Sequence, residues 1–377
     1  MLIFGIIIGL VVLVALVVVH ELGHAIAARR NGVVVEEFGI GFPPKAWGKK
    51  LKNGILFTLN WLPLGGFVKL QGEHDAATKK GDYGAATFWQ KTKILFAGVV
   101  VNWLVAVVLL SILAVFGLPK IIPNQFSVPS DTTVVSTPVQ LGALTPGYPA
   151  EKAGLQPGDA IISFAGEPIE TTQELIDISK ATKGQTVEIV YERNGATRTV
   201  EAALRDADSA VFGASLGQQD SIKATWSAPI VGVVTTAQFT WVTLQGLGDL
   251  LSNFVLGLVG QLSTNETTRE EATEKLDTAG ASVAGPVGIL GVIFPAASEA
   301  GLTQVVFLAA IISLTLAVMN ALPIPALDGG RWFVTALYKV LRKPLNKDTE
   351  ERIHGTGFVV LMLLIVVITV ADVAKLF

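Results

Sequence analysis

Two histidines four residues apart with a glutamate between them, His20-Glu21-Leu22-Gly23-His24, are the residues of this chain best suited to chemistry. On a helix, positions i and i+4 share a face, so both imidazoles can reach one divalent metal ion. The glutamate can then serve as general base toward a water at that metal. Hydrolytic zinc sites ordinarily take three protein ligands and keep one position open, and the motif supplies two. The chain has no cysteine and only two other histidines, His74 and His354, both in polar stretches read as loops. Disulfides and thiolate sites are therefore excluded, and the third ligand is sought among carboxylates. Asp328 is the candidate. It follows Asn320-Ala-Leu-Pro-Ile-Pro-Ala-Leu, where two prolines end a helix, and precedes Gly329 and Gly330, which permit a tight turn. The competing reading is an aspartate that merely caps the next helix.

These residues need elements to hold them. Of the 377 residues, 51% are hydrophobic and 16% charged, where a soluble domain carries about a quarter charged; the chain reads as a membrane protein. Residues 2–19 are apolar or Gly, and the apolar face runs on to Ala28, where Arg29 and Arg30 stop it. That length spans a bilayer. The motif thus lies near the end of a span, a costly place for ionisable groups without work to do. A secretory signal peptide cleaved at Ala25-Ile26-Ala27 is the rival, but the basic leading region is missing and the apolar stretch is too long. Further spans are predicted over 94–116, 305–322 and 357–373, four in all. Residues 229–262 are apolar but broken by Gly, Ser, Thr, Asn and Asp249. They read as amphipathic or interfacial helices, a further embedded segment being the alternative.

The net charge of −3 hides a segregation. Residues 29–93 carry eleven basic and five acidic residues, 117–302 ten and twenty, 324–356 six and four. The excess of Lys and Arg in short loops places 29–93 and 324–356 in the cytoplasm, and 117–302 and both termini outside. Within the outer segment, residues 137–206 form one soluble α+β module. Strand-like runs at 139–144, 160–164, 186–192 and 197–203 are punctuated by Pro-Gly and Asn-Gly turns, with a helix over 172–181. Residues 263–280 read as an exposed helix or linker. The organisation is then a membrane part over 1–136, the module over 137–206, interfacial helices and linker over 207–302, and a second membrane part over 303–377.

The ordered set of motifs resembles the site-2 protease family of intramembrane zinc metalloproteases, in the bacterial branch that includes the regulator of sigma-E protease. His20–His24 ends a first span, and Asn320-x-x-Pro-x-Pro-x-Leu-Asp328-Gly follows far downstream. Phe38-Gly-Ile-Gly-Phe-Pro-Pro-Lys45 is similar to the family's re-entrant hairpin, and Leu62-Pro-Leu-Gly-Gly-Phe-Val-Lys-Leu-Gln-Gly-Glu73 to its edge strand. Trp89-Gln-Lys, Ala97-Gly98 and Asn102 resemble the start of its second span, and Gly285-Pro-Val-Gly-Ile289 the segment before its third. Pro149-Ala-Glu-Lys-Ala-Gly-Leu-Gln-Pro-Gly-Asp159 resembles a PDZ domain. Val99 stands where the family often has Pro, some members carry a second PDZ domain, and 220–283 has no evident counterpart.

The resemblance implies a polytopic α-helical membrane protein with a membrane-associated β-hairpin and one inserted PDZ domain. It implies Zn²⁺ held by His20, His24 and Asp328, Glu21 as the base in peptide hydrolysis, and Asn320 against the substrate backbone. Gly65, Gly66, Phe67 and Val68 would receive an unwound substrate along the strand near Asn60–Gln71. The implied setting is a bacterial inner membrane, with the site near its cytoplasmic face and the PDZ domain outside, admitting or excluding substrates. Partners would be the lipid bilayer and single-pass proteins such as anti-sigma factors or remnant signal peptides, with no nucleic acid. A transporter is the main rival, but transporters usually show internal repeats and none is visible. A PDZ scaffold without activity would not need His20, Glu21, His24 and Asp328 together.

Overall fold

Leu2–Arg30 is one helix, α1, as its uninterrupted apolar run requires. The computed structural model describes residues 2–374, apart from the Leu64 side chain. Helix α1 stops where Arg29 and Arg30 meet its negative end and Gly32 turns left-handed at φ +81°. The N–H groups of Gly32 and Val33 bond back to the carbonyls of Arg29 and Ala28 at 3.2 and 2.9 Å, which satisfies the last free acceptors. Its buried positions include Gly5, Gly9, Leu16, His20, Gly23 and His24, a stripe at helical spacing.

Two long antiparallel strands follow, β1 (Val35–Lys50) and β2 (Leu56–Leu70). Their register makes them more than a hairpin. Phe38 pairs with Phe57 on one side and with Val68 on the other, and Ile40 with Leu59 and Gly66. The chain therefore crosses the sheet four times, in the order 45–50, 56–60, 35–40, 66–70. Residues 66–70 form an edge that no further strand among the described residues covers, its Val68 N–H bonded to Glu21 and its Leu70 N–H to Glu73 at 2.8 Å, whereas 56–60 lie inside. The segment expected as one edge strand from Asn60 to Gln71 is an edge only in its second half. Buried Ala25, Ala28, Val35, Phe38, Leu70, Tyr83, Ile94 and Leu95 weld this sheet to α1 and to α2 (Phe88–Phe116). Thr87 and Gln90 begin α2 with reciprocal backbone bonds at 3.3 and 2.8 Å.

The chain next forms a separate compact unit, Gly117–Thr225. Its main sheet runs Ala214–Gly217, Val139–Leu144, Ala160–Phe164, Thr186–Arg193, Ala196–Ala203, with Glu167–Pro168 on the third strand. Helix Thr172–Ala181 is capped by a reciprocal box between Thr171 and Glu174. Inside lie Val139, Leu141, Ile161, Phe164, Leu175 and Ile189. Arg193 donates to both carboxylate oxygens of buried Asp159 at 2.6 and 2.7 Å. Strand Ala214–Gly217 takes the unit beyond residue 206, and a second small sheet joins Leu118–Pro119, Asp220–Lys223 and Thr133–Ser136.

The membrane part resumes with α3 (Ala228–Gln261), a single helix of 34 residues where shorter interfacial helices were expected. Five helices among the described residues are long and apolar enough to cross a membrane, one more than four, and α3 is the addition. Its threonines do not break it: the Thr235 hydroxyl is buried without a partner among the described residues, but the two that follow are satisfied. The hydroxyls of Thr236 and Thr240 bond to carbonyls four residues back at 2.7 Å. Thr240 also accepts from Trp103 of α2 at 3.2 Å, and Gly232 packs on Ser111. Helix α4 (Glu266–Ala281) folds back onto the end of α3. The helical stretch Pro286–Ala300 makes a bent pair with it that counts as a sixth candidate crossing. Then come α5 (Leu302–Ala321), α6 (Asp328–Val340) and α7 (Lys347–Ala374). Helix α7 starts ten residues before the predicted span, with Asp348 and Glu350 in its first turn, where the dipole favours acids. His354 is consequently helical, not in a loop.

Candidate metal centre

His20 and His24 lie one turn apart on the buried face of α1, 7% and 8% exposed. Their Nε2 atoms are 3.2 Å apart. Asp328, 308 residues downstream, brings its Oδ2 to 3.1 Å from Nε2 of His20 and 3.2 Å from Nε2 of His24. A tetrahedral ion with bonds of about 2.0–2.1 Å separates its ligands by about 3.3 Å. The triangle of two imidazole nitrogens and one carboxylate oxygen thus fits zinc in size and in donor type. Among the described residues this is the one cluster with three such atoms close together. Burial alone pushes the Asp328 carboxyl up, but the two imidazoles outweigh it and hold the group well below the usual carboxylate range.

Each ligand is positioned by packing that the motif does not reveal. Nδ1 of His24 donates to the Ile94 carbonyl at 2.8 Å, which points Nε2 inward. Gly98 of α2 lies directly against the rings; a Cβ there would sit 2.5 Å from Nε2 of His24. Asp328 is the first residue of α6, one past the N-cap position Leu327, and its carboxylate meets the two imidazoles. The preceding turn is tight. Ala326 adopts φ +81°, and a Cβ at Gly330 would collide with the Ile324 carbonyl.

Behind the turn lies a polar network. Lys91 of α2 is buried and paired with Asp75 at 2.7 Å. The Asp75 N–H donates to Glu350 of α7 at 2.8 Å. Arg331 stacks 5.1 Å from the Tyr83 ring, donates to the Glu73 carbonyl, and lies 3.9 Å from Glu350. Loop 71–87 and the starts of α6 and α7 are thereby tied together around Asp328.

The other residues singled out in the sequence fall at different distances from this centre. Glu21 lies between the two ligands on α1, and its side chain faces the edge strand: a Cβ at Gly66 would be 3.6 Å from Cγ of Glu21. Gly66, Phe67 and Val68 belong to that edge, paired with Ile40, Gly39 and Phe38, and Gly65 turns into it at φ +104°. Asn320 donates to the Leu316 carbonyl of its own helix at 3.0 Å. His74 and His354, set aside as loop residues, both line a cavity of about 360 Å³ with Asp328, Arg331, Glu350 and Glu351. All four histidines of the chain therefore gather around Asp328. Ile94, Gly98 and Asn102 were assigned no role from the sequence. The available signal was a lone Asn inside an apolar span, which is costly there without a purpose.

The model of peptidase family M50 matches residues 8–364. The zinc metalloprotease RasP of Geobacillus kaustophilus is 29% identical, over 98% of this chain and 97% of that one. The regulator of sigma-W protease RasP of Bacillus subtilis is 26% identical over 96% of each. Among solved structures, the PDZ domain of the SdrC-like protein from Listeria monocytogenes is 26% identical, covering 21% of this chain and 86% of that chain with a TM-score of 0.19.

Proposed function

Because this chain belongs to peptidase family M50 and is a polytopic, zinc-dependent metalloprotease, we propose that it hydrolyses peptide bonds within the bilayer. One observation carries the reading. Two imidazole nitrogens of α1, a helix long and apolar enough to cross a membrane, and a carboxylate oxygen of α6, the short helix that follows the span α5, form a triangle with edges of 3.1 to 3.2 Å. His20, His24 and Asp328 would hold a zinc ion, which would supply Lewis-acid polarisation of water and of the scissile carbonyl.

The chain's own residues do the rest. Glu21 takes a proton from the attacking water and passes it to the departing amine. A C–O bond forms, the C–N bond breaks, and the glutamate is regenerated. A transmembrane substrate must unwind first, since its backbone bonds are satisfied internally and shield the carbonyl. The edge 66–70, beside Glu21 and covered by no further strand among the described residues, supports pairing with the opened strand through backbone groups, an incoming strand displacing Glu21 from the Val68 N–H. Gly65, Gly66, Phe67 and Val68 are its candidate substrate contacts, and Asn320 a further one at the end of α5.

The excess of Lys and Arg in the short loops supports a centre near the cytoplasmic side of a bacterial inner membrane, with the PDZ-like unit outside. Substrates on this reading are single-pass membrane proteins. An anti-sigma factor is favoured by the name of the Bacillus relative, and a remnant signal peptide fits the same chemistry. The test uses purified enzyme and a membrane-anchored test substrate. Glu21→Gln should keep its zinc and lose cleavage. Asp328→Ala should lose both, as one of three anchors is gone. Substantial turnover by Glu21→Gln, or full zinc occupancy in Asp328→Ala, would overturn the respective assignment.

A further inference from the structure

Asn102 of α2 lies between α1 and α5 and is fully buried. Its backbone carbonyl accepts from the Ser313 hydroxyl of α5 at 2.9 Å, which secures α2 against α5 at this level. The side chain is turned elsewhere. Its nitrogen lies 3.4 Å from Nδ1 of His20, and its oxygen is buried without a partner.

The chemistry of the imidazole says which amide atom belongs there. Nε2 of His20 faces His24 and Asp328. A ring nitrogen that ligates a cation offers its lone pair, so a neutral imidazole carries its proton on the other nitrogen, here Nδ1. That N–H needs an acceptor. The two ends of a carboxamide have the same shape and exchange places by a half-turn. The half-turn sets the orphaned oxygen on the proton. His24 already has this arrangement, with Nδ1 donating to the Ile94 carbonyl.

We propose that Asn102 is a positioning residue of the metal centre: its side-chain oxygen accepts the Nδ1 proton of His20 and holds that imidazole in the tautomer and orientation that present Nε2. The inference rests on His20 being a metal ligand. The bland alternative is an Asn that glues helices together. Against it, the bond across to α5 is made by the backbone carbonyl, which any residue provides, whereas the amide meets only a ring of the centre.

The test compares the full-length protein with Asn102→Leu, Asn102→Asp and His20→Ala. Zinc affinity is measured by competition with a chromophoric chelator, and ligand geometry by the visible spectrum of the cobalt-loaded proteins. Asn102→Leu preserves bulk and removes the acceptor, and its zinc affinity should fall about 10- to 100-fold with an altered cobalt spectrum. Asn102→Asp keeps an acceptor and should bind zinc at least as tightly as the parent. Parent-like affinity in Asn102→Leu, or equal losses in Leu and Asp, would overturn the proposal. Should Asn102→Leu not fold, the Asp variant decides, and an affinity below the parent's overturns it. Zinc retained by His20→Ala refutes the ligand assignment and this inference with it; zinc lost by His20→Ala but kept by Asn102→Leu refutes the inference alone.

Discussion

A methyl group at residue 98 would lie 2.5 Å from Nε2 of His24 and 2.6 Å from Cε1 of His20, closer than real Cβ contacts come. Gly98 is thus as much a part of the centre as the residues that carry charge. Gly98→Ala should displace both rings by a few tenths of an ångström or more. Such misplacement of reacting groups costs up to about 10²-fold in rate. The expected result is a loss of zinc affinity together with cleavage, read by chelator competition and by turnover of an anchored substrate; unchanged zinc binding would mean the helices give way instead. His20, Glu21 and His24 were legible in the sequence because spacing along one helix fixes their geometry. Asp328 was legible from the prolines and glycines around it. Gly98, Ile94 and Asn102 were not, since their role exists only once α2 lies antiparallel to α1 in one particular register. His74 lies in a loop as read, and neither it nor His354 joins the three ligand atoms, but His354 is helical and both line the cavity beside Asp328. Polar sequence suggested loops, but the start of α7 and the loop before α2 are drawn to Asp328 by the Asp75, Glu350 and Arg331 network.

At the scale of elements, the strands were readable and their order was not. Alternation and turn residues point to β structure between α1 and α2, but nothing local says that β1 is flanked on both sides by β2. That follows from the bend at Gly65, which sends 66–70 back along the far side. The outcome is an edge next to Glu21, and it should be used. Proline at Phe67 or Val68 removes a backbone donor and should slow cleavage without lowering zinc content. On the substrate side, each Gly placed near the cut weakens its helix by about 1 kcal/mol, enough for roughly fivefold faster cleavage where opening limits the rate. A substrate series in which strong helix formers are cut as fast as helix breakers would exclude strand pairing. Helix α3 was misread because Thr, Ser and Gly in an apolar run lower its mean hydropathy. Threonine hydroxyls that bond back within their own helix are compatible with a lipid setting.

For the whole molecule, the ends of the helices constrain one another. Asp328 follows α5 and meets the end of α1 that holds His20, so α5 begins on the opposite side from the metal centre. Helix α3 runs antiparallel to α2, since Gly232 meets Ser111 and Thr240 meets Trp103, and it ends on the same side as that centre. The stretch 266–300 must therefore lead back across. The chain has no cysteine, so single cysteines report cleanly. Cysteine at Lys79 and at Thr264 should be reached by a membrane-impermeant label only from the cytoplasm, and at Glu167 only from outside. External labelling at 264 would mean that α3 turns back without crossing.

The length of α3 has a mechanical corollary. Its 34 residues extend about 51 Å at 1.5 Å each, against about 30 Å of hydrocarbon. It must lean or protrude, and it leans on α2, the helix that carries Gly98 and Asn102 beneath the imidazoles. On this geometry, a change in membrane thickness that tilts α3 should pass to α2 and to the alignment of the centre. Reconstituted into short- and long-chain phosphatidylcholines with equal zinc loading, the enzyme should show different cleavage rates for one substrate; a rate indifferent to acyl length would uncouple α3 from the site.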